Sequence, residues 1–182
     1  MIDVVETPLA GAYLISAKPF EDTRGAFSRL FCRTTFQRYQ LTDTFPQQNL
    51  STCVLKGTIR GLHYQVPPAS EVKLLHCIRG AVYDVIVDMR EDSPTYLGWH
   101  GTTLSADDFS SVYIPEGFAH GYQALEDDSA VIYHASAEYS PEHERCVRFD
   151  DPTVGIVWPV ADIIASDKDR SAPLLKQQRK TT

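Results

Sequence analysis

Short stretches of alternating apolar and polar residues, typical of β-strands, cover most of the chain. One stretch spans residues 72–89 and is broken at Arg79-Gly80, which predicts two strands joined by a hairpin turn. Further strands are predicted at residues 95–104, 111–114 and 129–139. Glycine, proline and acidic clusters separate these stretches at short intervals, as expected for turns.

Helical patterns are few. Residues 34–39 are predicted to form a short helix capped by a threonine, and the C-terminal third is expected to hold another. Many short strands at close spacing favour a sandwich or a barrel, so we predict an all-β jelly roll with a few short peripheral helices. Such a barrel can enclose a pocket between its two sheets, where a functional site is expected.

The size and composition are those of one globular domain. The chain has 182 residues, of which 43% are hydrophobic, so we expect a single domain over residues 1–182. Residues 176–182 are polar and basic and are expected to form a flexible tail. Lys and Arg total 17 against 24 Asp and Glu, giving a formal net charge of −7. This charge argues against nucleic-acid binding over a broad surface, although a few arginines in a pocket could hold a small phosphorylated ligand.

The sequence carries no membrane-spanning or cysteine-rich metal signal. The four cysteines are widely spaced and form no CxxC pair. No apolar run approaches the roughly 18 residues that a spanning helix needs. The first residues include acids where a secretory signal would carry bases. We therefore expect a cytoplasmic protein with reduced thiols that binds neither membrane nor nucleic acid.

Arg60 and His63 stand within a predicted strand that is otherwise mostly apolar. Strict alternation would place them on opposite faces, but Gly61 between them permits a β-bulge that would turn both inward. The alternative is an edge strand with a solvated arginine and a hydrogen-bonded core histidine, because most buried polar groups are simply paired.

Lys73 shares a strand face with Leu75 and Cys77, so an apolar face carries a cation. Asp84 raises the same question on the next predicted strand. One explanation is structural: Lys73 and Asp84 pair across the predicted hairpin, or the lysine reaches along apolar surface to water. The other explanation is that Lys73 projects into a pocket.

Residues 115–121, PEGFAHG, deliver His120 onto a strand and fit P-x-G-x-x-H, the second metal motif of the cupin barrels. A metal cupin also needs a first motif with two histidines one residue apart, and the sequence contains no His-x-His. The corresponding region offers only His63, with Gln65 two residues later. A stable site needs three or more ligands, so we predict a cupin-like barrel with no metal, and a metal-dependent cupin enzyme is the alternative.

Two further segments supply candidate residues. Alternation over residues 131–139 places Tyr133 and Tyr139 beside alanines, which indicates either large-against-small packing or a pocket floor with a phenol aimed at a ligand. Alternating charge over residues 166–170 is typical of a solvated turn, or it brings an aspartate behind a histidine and fixes its tautomer.

Six motifs occur in a recognisable order. They are DTRGAF (22–27), RGLHYQ (60–65), IPEGFAHG (114–121), YSP (139–141), GIVWP (155–159) and SDKD (166–169). Together they resemble the nucleotide-sugar 3,5-epimerases of the deoxysugar pathway, the dTDP-4-dehydrorhamnose 3,5-epimerase family. The similarity covers nearly the whole chain, and the RGLH and PEGFAHG motifs are specific in combination.

The resemblance implies a metal-independent homodimer with a nucleotide-sugar site at the mouth of each barrel and no cofactor. It implies that His63 removes a proton beside the substrate ketone and that Asp169 supports this base. It also implies that Tyr133 protonates the opposite face of the sugar and that Lys73 stabilises the enolate. The positions implied to hold the sugar or its pyrophosphate are Arg24, Gln47, Asn49, Arg60, His120, Tyr139, Glu144 and Lys168.

The residue chemistry agrees with this reaction. A carbon beside a carbonyl becomes acidic enough to epimerise when its enolate oxygen is stabilised, and inversion needs a base and an acid on opposite sides of the ring. The sequence shows no dinucleotide-binding or P-loop glycine pattern. We therefore predict conversion of dTDP-4-dehydro-6-deoxy-D-glucose to dTDP-4-dehydro-L-rhamnose by epimerisation at C3, C5 or both.

Two positions depart from the family pattern. Arg29 and Gln48 stand where relatives commonly carry acids, in the part associated with nucleotide binding. This leaves open a single-centre epimerase acting on a different nucleotide 4-ketosugar. A non-catalytic sugar-nucleotide binding protein is a third reading, and it requires that His63, Tyr133 and Asp169 do not converge.

Overall fold

Two packed β-sheets form the body of the molecule in the computed structural model, which describes residues 2–178. In chain order the strands are β1 (Ile2–Glu6), β2 (Tyr13–Ala17), β3 (Phe20–Asp22), β4 (Gly25–Phe27), β5 (Gln47–Cys53), β6 (Ile59–Gln65), β7 (Lys73–Arg79), β8 (Ala81–Asp88), β9 (Trp99–Ser105), β10 (Ser110–Ile114), β11 (Phe118–Ala124), β12 (Ser129–Ala135) and β13 (Glu144–Cys146). Between and after them lie short helices α1 (Arg33–Arg38), α2 (Asp167–Ser171) and α3 (Leu175–Gln178).

The strand order confirms the jelly-roll prediction. The six-stranded sheet has the order β1-β2-β10-β7-β12-β5, and the five-stranded sheet has the order β13-β6-β11-β8-β9. All pairings within both sheets are antiparallel. Neighbours such as β7 and β12 are distant in sequence, as expected for a jelly roll. Strands β3 and β4 form a separate hairpin.

The core lies between the two sheets. Leu75 and Val131 of the six-stranded sheet meet Val82, Ile86 and Leu104 of the five-stranded sheet, and all five are buried. Alternation along each strand directs these side chains to one face. Full burial of each aliphatic side chain stabilises the fold by about 1.5–3 kcal/mol.

Both sheets are also covered on their outer faces. Phe36 of α1 packs with Leu74 and Tyr113 over the six-stranded sheet. Phe149 and other residues of the C-terminal segment pack against Leu62 on the five-stranded sheet. The segment that covers the five-stranded sheet also carries α2, which lies beside β6.

The predicted hairpin between β7 and β8 is wrong. The chain turns at Gly80, but β7 pairs with β10 and β12, whereas β8 pairs with β9 and β11. The two strands therefore belong to different sheets. Alternation predicts that a strand has one buried face, but it does not predict which strands supply the hydrogen-bond partners.

Several element bounds differ from the sequence prediction. Helix α1 begins at Arg33 with Cys32 as its N-cap and no side-chain cap hydrogen bond, so the predicted threonine cap is wrong. Strand β12 ends at Ala135, so Tyr139 lies beyond it.

Residues 176–178 of the predicted tail belong to α3, and residues 179–182 lie outside the described part. No helix among the described residues is long and apolar enough to cross a membrane.

Candidate active site

A cavity of about 780 Å³ opens between the sheets at one end of the barrel. Its walls come from β5, β7 and β12 of one sheet, β6, β11 and β13 of the other, and α2. The structure brings eleven of the predicted site residues to this cavity: Gln47, Asn49, Arg60, His63, Lys73, His120, Tyr133, Tyr139, Glu144, Lys168 and Asp169. Its size is in the range of small-molecule sites.

The bulge predicted at Gly61 is confirmed. The register between β6 and β11 shifts at this point, and Arg60 and His63 both line the cavity. Gly61 has φ +116°, and a Cβ there would lie 2.6 Å from the carbonyl oxygen of His120. Only glycine allows the two backbones to approach this closely, so Gly61 places both functional side chains on one face.

His63 and Asp169 form a hydrogen-bonded pair, with Nε2 of the imidazole 2.8 Å from Oδ1 of the carboxylate. The Ser166 hydroxyl caps α2 by accepting from the Asp169 backbone N–H, which turns the aspartate side chain inward. Burial alone would raise the pKa of Asp169, but hydrogen bonds from His63 and from the Gly61 N–H hold it below its usual value. The carboxylate therefore stays ionised beside the imidazole at neutral pH.

Lys73 does not pair with Asp84, so that structural explanation is wrong. Its ammonium lies 2.9 Å from a carboxylate oxygen of Glu71 and 3.4 Å from the His63 carbonyl oxygen. Asp84 instead lies 2.7 Å from Nε2 of His120 on β11. Since β7 and β8 belong to different sheets, the two residues are separated by the barrel interior.

Tyr133 projects from the six-stranded sheet, whereas His63 projects from the five-stranded sheet. The two groups therefore line opposing walls of the cavity. Burial raises the pKa of the Tyr133 phenol, and the negative charge of Glu71 raises it further. The phenol is thus protonated at neutral pH and can donate its proton.

The rim of the cavity carries a polar cluster. Lys168 Nζ lies 2.6 Å from Oε2 of Glu144, and the Tyr139 hydroxyl donates to the same oxygen at 3.2 Å. Gln47 accepts a hydrogen bond from the Tyr139 backbone N–H. Arg60 bridges to the opposite sheet by donating to the Thr52 carbonyl at 2.9 Å. Cations and an exposed aromatic ring therefore surround the entrance.

The described residues hold one grouping with three potential metal-ligand atoms, from His63, Cys146 and Asp169. Two of its members, His63 and Asp169, are hydrogen-bonded to each other. Burial raises the pKa of the third, the Cys146 thiol, to about 11. His120, which the cupin motif would use, lies outside the grouping and is bonded to Asp84.

Arg24 is the predicted site residue that this chain does not bring to the cavity. It lies at the turn of the β3–β4 hairpin, pairs with Asp22, and its side chain is 87% exposed. Arg29 and Gln48, the two departures from the family pattern, do not line the cavity either. Gln48 faces outward because residues alternate along β5.

Sequence reasoning missed several cavity residues. Ser51 alternates with Gln47 and Asn49 on β5, and the Tyr122 hydroxyl donates to Ser51 at 2.7 Å. Alternation could have found these two once the inward face was known. Glu71 precedes β7 in a connection, where no periodic signal applies.

The cavity of this jelly-roll barrel holds a carboxylate-backed imidazole opposite a protonated phenol. This fold and this pair of groups are those of a carbohydrate epimerase, a class of isomerase. The family model that matches is described as dTDP-4-dehydrorhamnose 3,5-epimerase and covers residues 6–177. The chain belongs to this family, which confirms the resemblance seen in its motifs.

Similar proteins agree over nearly the whole length. The dTDP-4-dehydrorhamnose 3,5-epimerase of Sinorhizobium fredii is 40% identical over 168 residues, covering 92% of this chain and 86% of that protein. The crystal structure of the Bacillus anthracis enzyme with TDP and PPi bound is 41% identical, with a TM-score of 0.93 over 96% of this chain and 100% of that one. ChmJ, a 3′-monoepimerase from Streptomyces bikiniensis in complex with dTDP-quinovose, is 32% identical, with a TM-score of 0.90 over 97% and 90%.

Proposed function

We propose that the protein converts dTDP-4-dehydro-6-deoxy-D-glucose to dTDP-4-dehydro-L-rhamnose by epimerisation at C3 and C5. The observation that carries this proposal is the placement of two proton-transfer groups, His63 and Tyr133, on opposing walls of one cavity. Membership of the epimerase family supports the choice of substrate. The non-catalytic reading required His63, Tyr133 and Asp169 to point apart, and they line the same cavity.

His63 acts as the general base. Its Nε2 is bonded to Asp169, which leaves Nδ1 as the nitrogen that takes a proton from the carbon beside the ketone. The ionised carboxylate stabilises the imidazolium that forms and fixes the ring orientation. A positioned base of this kind contributes roughly 10²–10⁴-fold in rate.

Lys73 stabilises the enolate. Removal of a proton beside the C4 ketone places negative charge on the ketone oxygen, and an ammonium in the cavity wall lowers the energy of that oxyanion. The Lys73 side chain is 11% exposed, so water screens its charge only weakly.

Tyr133 acts as the general acid. Its phenol is protonated at neutral pH and lies on the wall opposite His63, so it can return a proton to the face from which none was removed. Proton removal on one face and return on the other inverts the stereocentre, which a single acid–base group could not do.

The remaining cavity residues bind the substrate. Arg60 and Lys168 are the rim cations suited to the pyrophosphate, and the exposed Tyr139 ring is suited to stacking with the base. Gln47, Asn49, His120 and Glu144 supply hydrogen bonds to the sugar and the nucleotide. The bound TDP and PPi of the Bacillus anthracis relative support a nucleotide site of this kind.

Proton NMR in deuterated water tests the function. Supplied with dTDP-4-dehydro-6-deoxy-D-glucose, the protein is expected to incorporate deuterium at C3 and C5 and to form the L-rhamno product. His63→Asn should abolish this exchange, whereas His100→Asn, outside the cavity, should leave it intact. Absence of exchange with the intact protein would overturn the proposal.

A single-centre epimerase is the second candidate, because the chain is also similar to a 3′-monoepimerase. The same spectra separate the two, since a monoepimerase would place deuterium at one carbon and yield a product inverted only there.

We also infer a homodimer that works in the cytoplasm. Phe20 and Phe27 on the β3–β4 hairpin are each 71% exposed, and Arg24 lies between them. Docking of this hairpin on a second copy would cover both rings and carry Arg24 toward a nucleotide. Cys32, Cys53 and Cys77 form no disulfide among the described residues, which fits a reducing compartment. Sedimentation should show a dimer that the double variant Phe20→Ser/Phe27→Ser weakens; a monomeric wild-type protein would refute it.

A further inference from the structure

Glu71 is a cavity residue to which the reaction described above gives no role. It lies in the connection before β7, two residues from Lys73, and lines the cavity. Its side chain is 11% exposed, as is that of Lys73, and one carboxylate oxygen lies 2.9 Å from the lysine Nζ. Burying a carboxylate this far from water costs free energy unless a partner pairs with it. Here the partner is the Lys73 ammonium, the group proposed to stabilise the enolate.

We propose that Glu71 is a positioning residue for epimerisation, which fixes the Lys73 ammonium in the cavity wall so that one N–H points at the substrate ketone. This proposal rests on the proposed function, because it concerns the enolate that Lys73 stabilises.

The donor inventory of Lys73 supports this role. A lysine ammonium has three N–H donors on a flexible four-carbon stem. Among residues 2–178, the acceptors recorded for it are Glu71 at 2.9 Å and the His63 carbonyl at 3.4 Å. These contacts occupy two donors and immobilise the stem, so the third is left for an oxygen in the cavity. The link to the His63 backbone also ties the ammonium to the base.

The charge of Glu71 also acts on Tyr133. Burial is the larger cause of the raised pKa of this phenol, and Glu71 is the next. The other charged groups around the phenol are Arg60 of β6, Glu144 of β13 and Lys73 of β7, while the cavity residues of the neighbouring β5 are neutral. A single carboxylate thus holds the cation and raises the pKa of the acid.

The test compares Glu71→Gln with Glu71→Asp and with Glu91→Gln, a control at an exposed residue. Glutamine keeps the size but removes the charge, so kcat for exchange should fall roughly 10–100-fold, as expected for a misplaced catalytic group. The alkaline limb of kcat should move to lower pH, because loss of a nearby negative charge lowers the pKa of Tyr133. Glu71→Asp should keep part of the wild-type kcat and part of the wild-type position of the alkaline limb. Glu91→Gln should match the wild type in both.

A second readout needs no substrate. The ultraviolet absorbance of the Tyr133 phenolate is obtained by subtracting the spectrum of a protein that carries Tyr133→Phe from that of the same protein without it. This absorbance should appear at lower pH in Glu71→Gln than in the wild type. If Glu71→Gln exchanged protons with the kcat and the alkaline limb of the wild type, the role of Glu71 would be overturned. The same holds if Glu71→Gln lost thermal stability while neither the alkaline limb of kcat nor the pH of the phenolate titration moved. Absence of exchange in the wild type would instead overturn the proposed function.

Discussion

Nε2 of His120 lies 2.7 Å from Oδ2 of Asp84, and both side chains are almost fully buried where β11 and β8 pair beside the cavity. This is a second histidine–carboxylate pair, separate from His63 and Asp169. Because neither partner reaches water freely, each satisfies the other's hydrogen-bonding group.

Asp84→Ala should therefore lower the free energy of unfolding by about 1–3 kcal/mol, the cost of leaving a buried donor without an acceptor. Asp84→Asn, which keeps an acceptor oxygen, should lose less. Urea denaturation followed by circular dichroism measures both, with the exposed Asp92→Ala as the control. Equal stability of Asp84→Ala and the wild type would show that the pair contributes nothing.

Tyr133→Phe should separate proton removal from inversion. The variant keeps His63 and Asp169, so exchange with solvent should continue, whereas formation of the inverted product should fall roughly 10²–10⁴-fold. NMR in deuterated water measures both in one sample. Tyr39→Phe, at an exposed position, is the control. Full inversion by Tyr133→Phe would assign the acid to another group.

His76 should make the fold sensitive to acid. It is 4% exposed on β7, its Nδ1 has no hydrogen-bond partner among the described residues, and its ring lies edge-on to His134. Burial, and then the charge of His134, lower the pKa of His76 to about 4. In the unfolded chain the pKa of a histidine is near 6.5. Between pH 6.5 and pH 4 the unfolded chain therefore binds a proton at His76 more readily than the folded chain does.

The wild type should thus lose about 3 kcal/mol of stability through this group as the pH falls from 6.5 to 4, at roughly 1.4 kcal/mol per pH unit. His76→Leu removes the titration and should flatten that part of the curve, as measured by urea midpoints at several pH values. Parallel curves for the two proteins would contradict it.

Gly61→Ala should damage both stability and activity. The new Cβ would lie 2.6 Å from the His120 carbonyl oxygen at a φ of +116°, so β6 and β11 would have to separate. Gly155→Ala also has a positive φ, +70°, but meets nothing within 4 Å, and it serves as the matched control. We expect the control to cost about 1–2 kcal/mol, the penalty for the left-handed conformation alone. Gly61→Ala should cost more and abolish exchange, and equal costs would mean that β6 can move freely.

Strand alternation and one glycine predicted that Arg60 and His63 face inward, whereas most other site residues and all the roles came from the resemblance to the epimerase family. Gly61 between Arg60 and His63 was enough to predict the bulge, and the structure confirms it. Similarly, the class of fold followed from many short strands.

Pairing across the barrel was not predictable in the same way. Lys73 and Asp84 both stand on apolar faces, but β7 and β8 enter different sheets, so Lys73 pairs with Glu71 in the connection before it and Asp84 with His120 on the neighbouring strand β11. No local signal records that arrangement. The exposed position of Arg24 was likewise hidden, because a motif match gives a residue type and not the direction in which its side chain points.

The capped helix α2 lies outside both sheets, yet it supplies the carboxylate behind His63. The imidazole of His63 therefore gains its carboxylate partner only when α2 has docked on β6. Clipping by a protease before Ser166 would take away the carboxylate behind His63 and the rim cation Lys168 in a single cut.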